Sequence, residues 1–213
     1  MTFFKRFVKS VPVIFALALA STVVSTTSNA ATVQTAQSPY VVLETTGKNL
    51  FGRIANNQAE LAKFPELMER IVEEELMPNV DYRYAAYKVL GKHLKHTTKE
   101  QRAKFVNSMR NYLVRTYAKA LEQYDDQQVI FEPAKDVTGK RIVAVNTKIV
   151  DPNKPTIHLA FKMRQNKKSK EWKAFDMVVE GISLLQSKQS ELSKRIAKRG
   201  VDQVTLELAS VAK

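Results

Sequence analysis

The apolar positions of this chain follow two periods, and the change between them divides it. From Ser38 the spacing is helical. Ser38-Pro39 reads as an N-cap followed by proline at the first helical position, opening a helix to about Asn57 with Val42, Leu50 and Ile54 on its apolar side. A second helix is predicted over Phe64–Met77, stopped by Pro78, and a third over Asp81–Leu90, stopped by Gly91. Thr97-Thr98-Lys99-Glu100 has the form of a capping box, with a hydroxyl at the cap and a carboxylate three residues on. The helix it opens is predicted to reach Tyr124. Along it Phe105, Met109, Tyr112, Leu113, Tyr117, Ala120 and Leu121 recur at three- and four-residue spacing, giving one broad apolar face. At ~27 residues it would be ~40 Å long.

The period then shortens to two. Gln128–Phe131 reads as a short strand ended by Pro133, and Asp136–Gly139 as a turn. In RIVAVNTKIV the side chains of Val143, Val145, Thr147 and Ile149 share a side. In TIHLAFKMR, Ile157, Leu159, Phe161 and Met163 alternate cleanly with polar or small residues. After a polar hairpin loop, Phe175, Met177 and Val179 share a side of the next strand. Ser183-Leu184-Leu185-Gln186 is a second capping signal, and its helix runs to about Arg199, closed by Gly200. A short helix follows Asp202. The fold class is therefore α+β: N-terminal helices, an antiparallel sheet of about four strands, then C-terminal helices. The helices must cover the sheet's apolar face.

The N-terminus changes the picture of where the chain works. Lys5, Arg6 and Lys9 precede an apolar run from Val11 to Ala20, and Ser28-Asn29-Ala30 follows. That is the pattern of a secretory signal over residues 1–30, cleaved near Ala30, leaving residues 31–213 as one mature domain. The run is about ten residues, against the ~20 a spanning helix needs. Removing three cations and no acids takes the formal charge from +13 to +10. A basic exported chain favours anionic lipid headgroups or an acidic protein face as partners. Nucleic acid does not fit, since no nucleic-acid motif appears. The hairpin KMRQNKKSKEWK carries six cations and one acid, and is expected to help dock an acidic partner or a lipid surface. A solvated turn explains the same residues.

Catalytic chemistry is thinly represented. There is no cysteine, which removes disulfides, thiolate metal sites and thiol nucleophiles. No phosphate-cradling glycine loop, H-E-x-x-H or Ca²⁺ loop occurs, and no cofactor or metal site is expected. His93, His96 and His158 read as solvated. Asp176 and Glu180 lie where strand becomes helix. A structural role, accepting hydrogen bonds there, is favoured over that of a general base. Residues alone leave three classes open: a carrier with an apolar cavity, an enzyme using Asp176 on an apolar substrate, and a ligand-free adaptor with a solid interior.

Several stretches together sharpen the choice: VDYRYAAYKVLGKHL, QRAKFVNSMRNYLVRTYAKALEQY, VDPNKPTIHLAFKMR, WKAFDMVVEGISL and RGVDQV. Over nearly the whole mature chain they resemble the MlaC family of periplasmic phospholipid-binding proteins. The signature is carried by Trp172, Phe175, Asp176, Glu180, Gly181, Ile182 and Ser183. The chain departs from the family in a short tail, ELASVAK. The resemblance implies a cone-like sheet of the nuclear-transport-factor-2 type, with helices enclosing a lipid pocket. It implies no enzymatic activity, with phospholipid as the cargo and not a cofactor. It also implies shuttling between the outer-membrane MlaA–porin complex and the inner-membrane ABC complex MlaFEDB, which maintains lipid asymmetry. The expected lipid-facing set is Val143, Val145, Ile149, Ile157, Leu159, Phe161, Met163, Phe175 and Met177 on the sheet, with Phe105, Met109, Leu113 and Tyr117 on the long helix. Some of these must be ordinary core.

Overall fold

Proline at the first helical position starts the first element, as the sequence predicts. The computed structural model describes residues 37–124 and 127–210, which fall in one unit, Thr35–Lys213. The signal expected over residues 1–30 lies outside the described residues. Helix α1 is Pro39–Asn56, and Ser38 has the extended backbone of an N-cap. After the single turn of α2, Gln58–Leu61, helix α3 covers Leu67–Ile71. It continues through a wide π turn, Val72–Leu76, and a tight turn, Met77–Asn79. The predicted second helix is thus a composite of three windings. Its carboxylates are tied to neighbouring helices: Arg53 of α1 holds Glu74 and Glu75 at 2.5 and 2.8 Å, and Arg110 holds Glu73 at 2.7 Å.

Helix α4, Tyr82–Leu90, is capped by Asp81, whose carboxylate accepts from the Tyr84 N–H at 3.0 Å. It stops at Gly91, whose φ of 48° is the left-handed conformation that glycine adopts freely. Helix α5 is Lys99–Leu121. Its capping box falls one residue later than the sequence suggested. Thr98 Oγ1 accepts from the Gln101 N–H at 3.1 Å, and the Gln101 side chain accepts from the Thr98 N–H at 2.9 Å. Thr97 is engaged elsewhere: its hydroxyl donates to the Leu94 carbonyl and accepts from Arg102. The helix ends three residues short of the expected Tyr124, because the Tyr124 N–H turns back to the Leu121 carbonyl.

The strands are β1 Gln128–Phe131, β2 Ile142–Asp151, β3 Lys154–Gln165, β4 Trp172–Val179 and β5 Ile182–Ser183. They pair antiparallel in the order 1-2-3-4-5. The fifth strand is an addition to the four expected. Glu180 and Gly181 make a two-residue hairpin with φ of 47° and 81°, and this folds Ile182–Ser183 back on β4. Helix α6, Leu184–Ser210, is broken at Gly200, where φ is 77° and ψ 163°. The two C-terminal helices of the sequence reading are its two halves.

Three apolar clusters hold these elements. One joins α4, α5 and α6 through Val89, Leu90, Phe105, Met109, Leu192 and Val204. A second joins α1, α3, the π turn and the far half of α5 through Leu50, Ile54, Ile71, Val114 and Ala118. The third seats the start of α1 on the sheet, with Tyr40 and Leu43 against Val145, Met163 and Trp172.

Candidate functional site

Strand register sorts the sheet's apolar side chains into rows that run across it. Val143 and Met163 stand in the first row, opposite Ala174. Val145, Phe161 and Met177 form the second. Phe131, Thr147, Leu159, Val179 and Ile182 form the third. Val129, Ile149 and Ile157 form the fourth. All share one face because each strand contributes every second residue.

Cover over this face is uneven, and it is thinnest at Ile157 in the fourth row and at Ile182 on β5. Val145 and Met163 are fully buried beneath α1. Phe161, Met177, Leu159, Val179 and Ile149 are only part-buried, Ile157 is 42 % exposed and Ile182 is 62 % exposed. Met177, Leu159, Val179, Ile149 and Ile157 belong to none of the three clusters. They form an apolar shelf beyond the reach of α1. Thr147 stands among them, buried, and its hydroxyl makes no hydrogen bond. An orphaned buried hydroxyl costs free energy unless something pairs with it.

The expected positions on α5 divide. Phe105 and Met109 point into the helix cluster and are closed off by α4 and α6. Leu113 and Tyr117 are part-buried and pack at the edges of the helix clusters. Burial pushes the Tyr117 phenol up to about 12, and the Asp176 carboxylate and Tyr112 add to the shift. Tyr117 itself packs against the second helix cluster. Phe175 is also displaced from the expected row. Lys162 pairs with Asp176 and Met163 with Ala174, which leaves Phe175 as the extra residue of a bulge. Its ring meets Tyr84 of α4 edge-on at 5.1 Å. Strict alternation along β4 could not reveal this.

Asp176 is committed on both oxygens. One accepts from the Leu185 N–H at 3.0 Å, and the other from Ser183 Oγ at 2.8 Å and Lys162 Nζ at 3.0 Å. The side chain is 2 % exposed. It ties the start of α6 to β4, while Ser183 caps the helix by accepting from the Gln186 N–H. The Glu180 carboxylate accepts from the His158 N–H at 2.6 Å, and so pins the β4–β5 hairpin to β3. These are the bonds of a structural pair. Among the histidines, His93 meets Ser193 Oγ at 2.9 Å.

The geometry is that of a covered sheet end running out into an open apolar shelf. A family model described as "MlaC protein" matches residues 44–210. This chain belongs to the MlaC family. The intermembrane phospholipid transport system binding protein MlaC of Haemophilus influenzae is 34 % identical over 166 residues, 78 % of each chain. The toluene tolerance protein ttg2D of Pseudomonas putida is 24 % identical over 168 residues, 78 % of this chain and 77 % of that one. Among solved structures, a phospholipid-binding protein from Ralstonia solanacearum, in complex with a phospholipid, matches with a TM-score of 0.73 at 20 % identity. The match covers 83 % of this chain and all of that one, and it shows a shared fold. The MlaC match takes in all four rows and the whole of α5.

Proposed function

We propose that this protein is a periplasmic phospholipid carrier that holds its cargo by the acyl chains. The observation that carries the reading is the shelf: apolar side chains from three strands, aligned on one face and left without a covering cluster. An apolar face of this kind marks a place where another apolar body is received. The Thr147 hydroxyl supports a glycerolipid in particular, since an ester carbonyl would give this orphan donor a partner. Membership of the MlaC family, and the names of two relatives and one structural neighbour, point the same way. Among the described residues no helix is long and apolar enough to cross a membrane, and the leader pattern of residues 1–30 directs the chain to the periplasm.

The proposed lipid-facing set is Ile149, Ile157, Leu159, Phe161 and Met177, extended by Val179 and Ile182, with Leu113 and Tyr117 from α5. Val143, Val145, Met163, Phe175, Phe105 and Met109 serve as its supporting packing. The proposed partners are the MlaA–porin complex at the outer membrane and MlaFEDB at the inner one. Two sixteen-carbon chains taken from water would formally contribute ~25 kcal/mol at ~0.8 kcal/mol per methylene. Non-covalent binding saturates near ~18–21 kcal/mol, so release into water is not the exchange route. In a bilayer the tails are already dry. A carrier therefore needs only to match bilayer solvation, and exchange proceeds by docking.

Native mass spectrometry of the protein purified from its own periplasm, followed by lipid extraction, tests this. The expected result is one stoichiometric phospholipid, lost in a folded Leu159→Asp variant. A wild-type protein free of lipid that also takes none from vesicles would overturn the reading. A folded Leu159→Asp variant still fully loaded would remove this face from it.

A further inference from the structure

The end of the sheet remote from the shelf carries a second feature, and its chemistry is the opposite. The β1–β2 loop and the β3–β4 hairpin enclose a cleft of about 670 Å³, lined by Ser38, Thr138, Lys140, Arg141, Lys167 and Lys170 among others. Four lining residues are cations and none is an acid. None of the four makes an ion pair among the described residues, although cations elsewhere do so repeatedly, as Lys154 does with Asp151 and Arg164 with Asp81. The nearby acids are occupied. Asp136 accepts from the Thr138 N–H and hydroxyl, and Glu171 accepts from Ser169 Oγ. The cleft is separate from the far end of the shelf, since Arg141 immediately precedes β2 and Ile149 lies near its other end, about 26 Å away at ~3.3 Å per residue.

Both loops are built to hold these cations in place. The Lys140 N–H bonds to the Val137 carbonyl at 2.9 Å, across a turn in which Gly139 has φ of 73°. In the hairpin, Asn166 Oδ1 accepts from the Lys168 and Ser169 N–H groups at 2.8 and 3.3 Å. Lys170 sits at φ of 62°, a left-handed backbone that glycine or asparagine adopts with less strain. A long cationic side chain occupies a turn position suited to a small residue, and it faces the cleft. Beside the loops, Ile142 next to Arg141 is 55 % exposed, and Val41 on the first turn of α1 is 44 % exposed. Ser38 also lines the cleft, and its hydroxyl is buried and unpaired at the N-terminus of α1, whose dipole favours negative charge.

We infer that this cleft receives the phosphodiester headgroup of an anionic lipid at a bilayer surface, and so docks the protein on the membrane by the end opposite its cargo shelf. Unpaired cations attract the anionic interface, while the apolar residues beside them suit its acyl boundary. A concave site of this volume takes an inserted headgroup, whereas a flat acidic protein face would leave it unfilled. The inference goes beyond carriage: it concerns where the protein rests, not what it holds.

Cosedimentation of the lipid-loaded protein with phosphatidylglycerol vesicles, and with phosphatidylcholine vesicles as reference, is the test. Binding is expected on the anionic vesicles only, and it should fall as salt rises. The Lys140→Glu, Arg141→Glu, Lys167→Glu, Lys170→Glu variant should lose it entirely while keeping its extracted cargo. Lys170→Gly relaxes the strained turn and so folds at least as well, yet should weaken vesicle binding about fivefold. Unchanged binding in the fourfold variant would overturn the inference, and so would a wild type indifferent to anionic vesicles. Phosphorus or amide chemical-shift changes with inorganic phosphate alone, without vesicle binding, would likewise overturn it in favour of a free-phosphate site. Cargo is read by extraction in the same samples, so a failure of the carrier reading is seen separately.

Discussion

Apolar side chains of the same kinds behave differently in the helix cluster and on the sheet. Phe105 and Met109 of α5 are sealed by α4 and α6, with nothing left for a ligand to touch. Leu159, Phe161 and Met177 stand in equally apolar rows, yet keep part of their surface. The difference comes from the covering element. A three-helix cluster closes on itself by ridge-and-groove packing. A sheet face closes only as far as some helix is laid across it, and α1 crosses its first rows and reaches only the β1 end of the third. The cluster therefore supplies stability, and the unfinished face supplies a place for cargo.

The largest effect that separates the two regions is in stability. Phe105→Ala should cost about 3–5 kcal/mol, the usual range for emptying a sealed aromatic site. Leu159→Ala should cost about 1 kcal/mol in delipidated protein, because its surroundings are already open. Urea unfolding of both, read by far-ultraviolet circular dichroism, measures the gap. Equal costs would mean that the shelf is ordinary core, and the comparison would fail. Restoring lipid should widen the gap between wild type and Leu159→Ala while leaving the Phe105→Ala increment as it was, since only one of these sites meets cargo.

A smaller effect probes the boundary on α5. The folded state keeps the Tyr117 phenol neutral, with its pKa raised from 10.0 to about 12 by burial first and by Asp176 second. Its contribution is complete below pH 10 and is lost as pH rises from about 10 to about 12. The loss should be about 2 kcal/mol. The difference between wild type and Tyr117→Phe isolates it from the many lysines that titrate nearby. If the two lose stability in parallel over that window, the Tyr117 phenol is not held neutral by burial, and it leaves the proposed lipid-facing set.

Much of this was legible in the sequence, and the failures have physical causes. Period-two alternation placed Val145, Leu159, Phe161 and Met163 on one face, because the pleat enforces it. It could not place Phe175, since a bulge inserts a residue without marking the sequence. Strand β5 was missed because Ile182–Ser183 is too short to show a period, although Glu180-Gly181 was a turn in plain view. The division of α5 into sealed and open positions was out of reach. Phe105 and Leu113 occupy the same helical stripe, and only the placement of α4 and α6 tells them apart. The cleft's four cations come from two loops separated by some twenty-five residues of strand, so only the fold brings them together.

The smallest expected effect tests where the cover stops. Gly47 lies inside α1, where glycine costs roughly 1 kcal/mol against alanine by propensity alone. A Cβ there would stand 2.6 Å from Cζ of Phe131, the first member of the third row. The helix therefore still meets the sheet closely at the row where cover gives way to shelf. Gly47→Ala should gain its propensity increment and lose more by displacing the ring, for a net destabilisation of about 1 kcal/mol. Adding Phe131→Leu removes the ring tip and should return the alanine to a net gain. That sign reversal in a double-mutant cycle is the readout. A stabilising Gly47→Ala in the wild-type background would mean that Phe131 moves freely. The boundary between closed core and open shelf would then be set by the ring's mobility and not by the approach of α1.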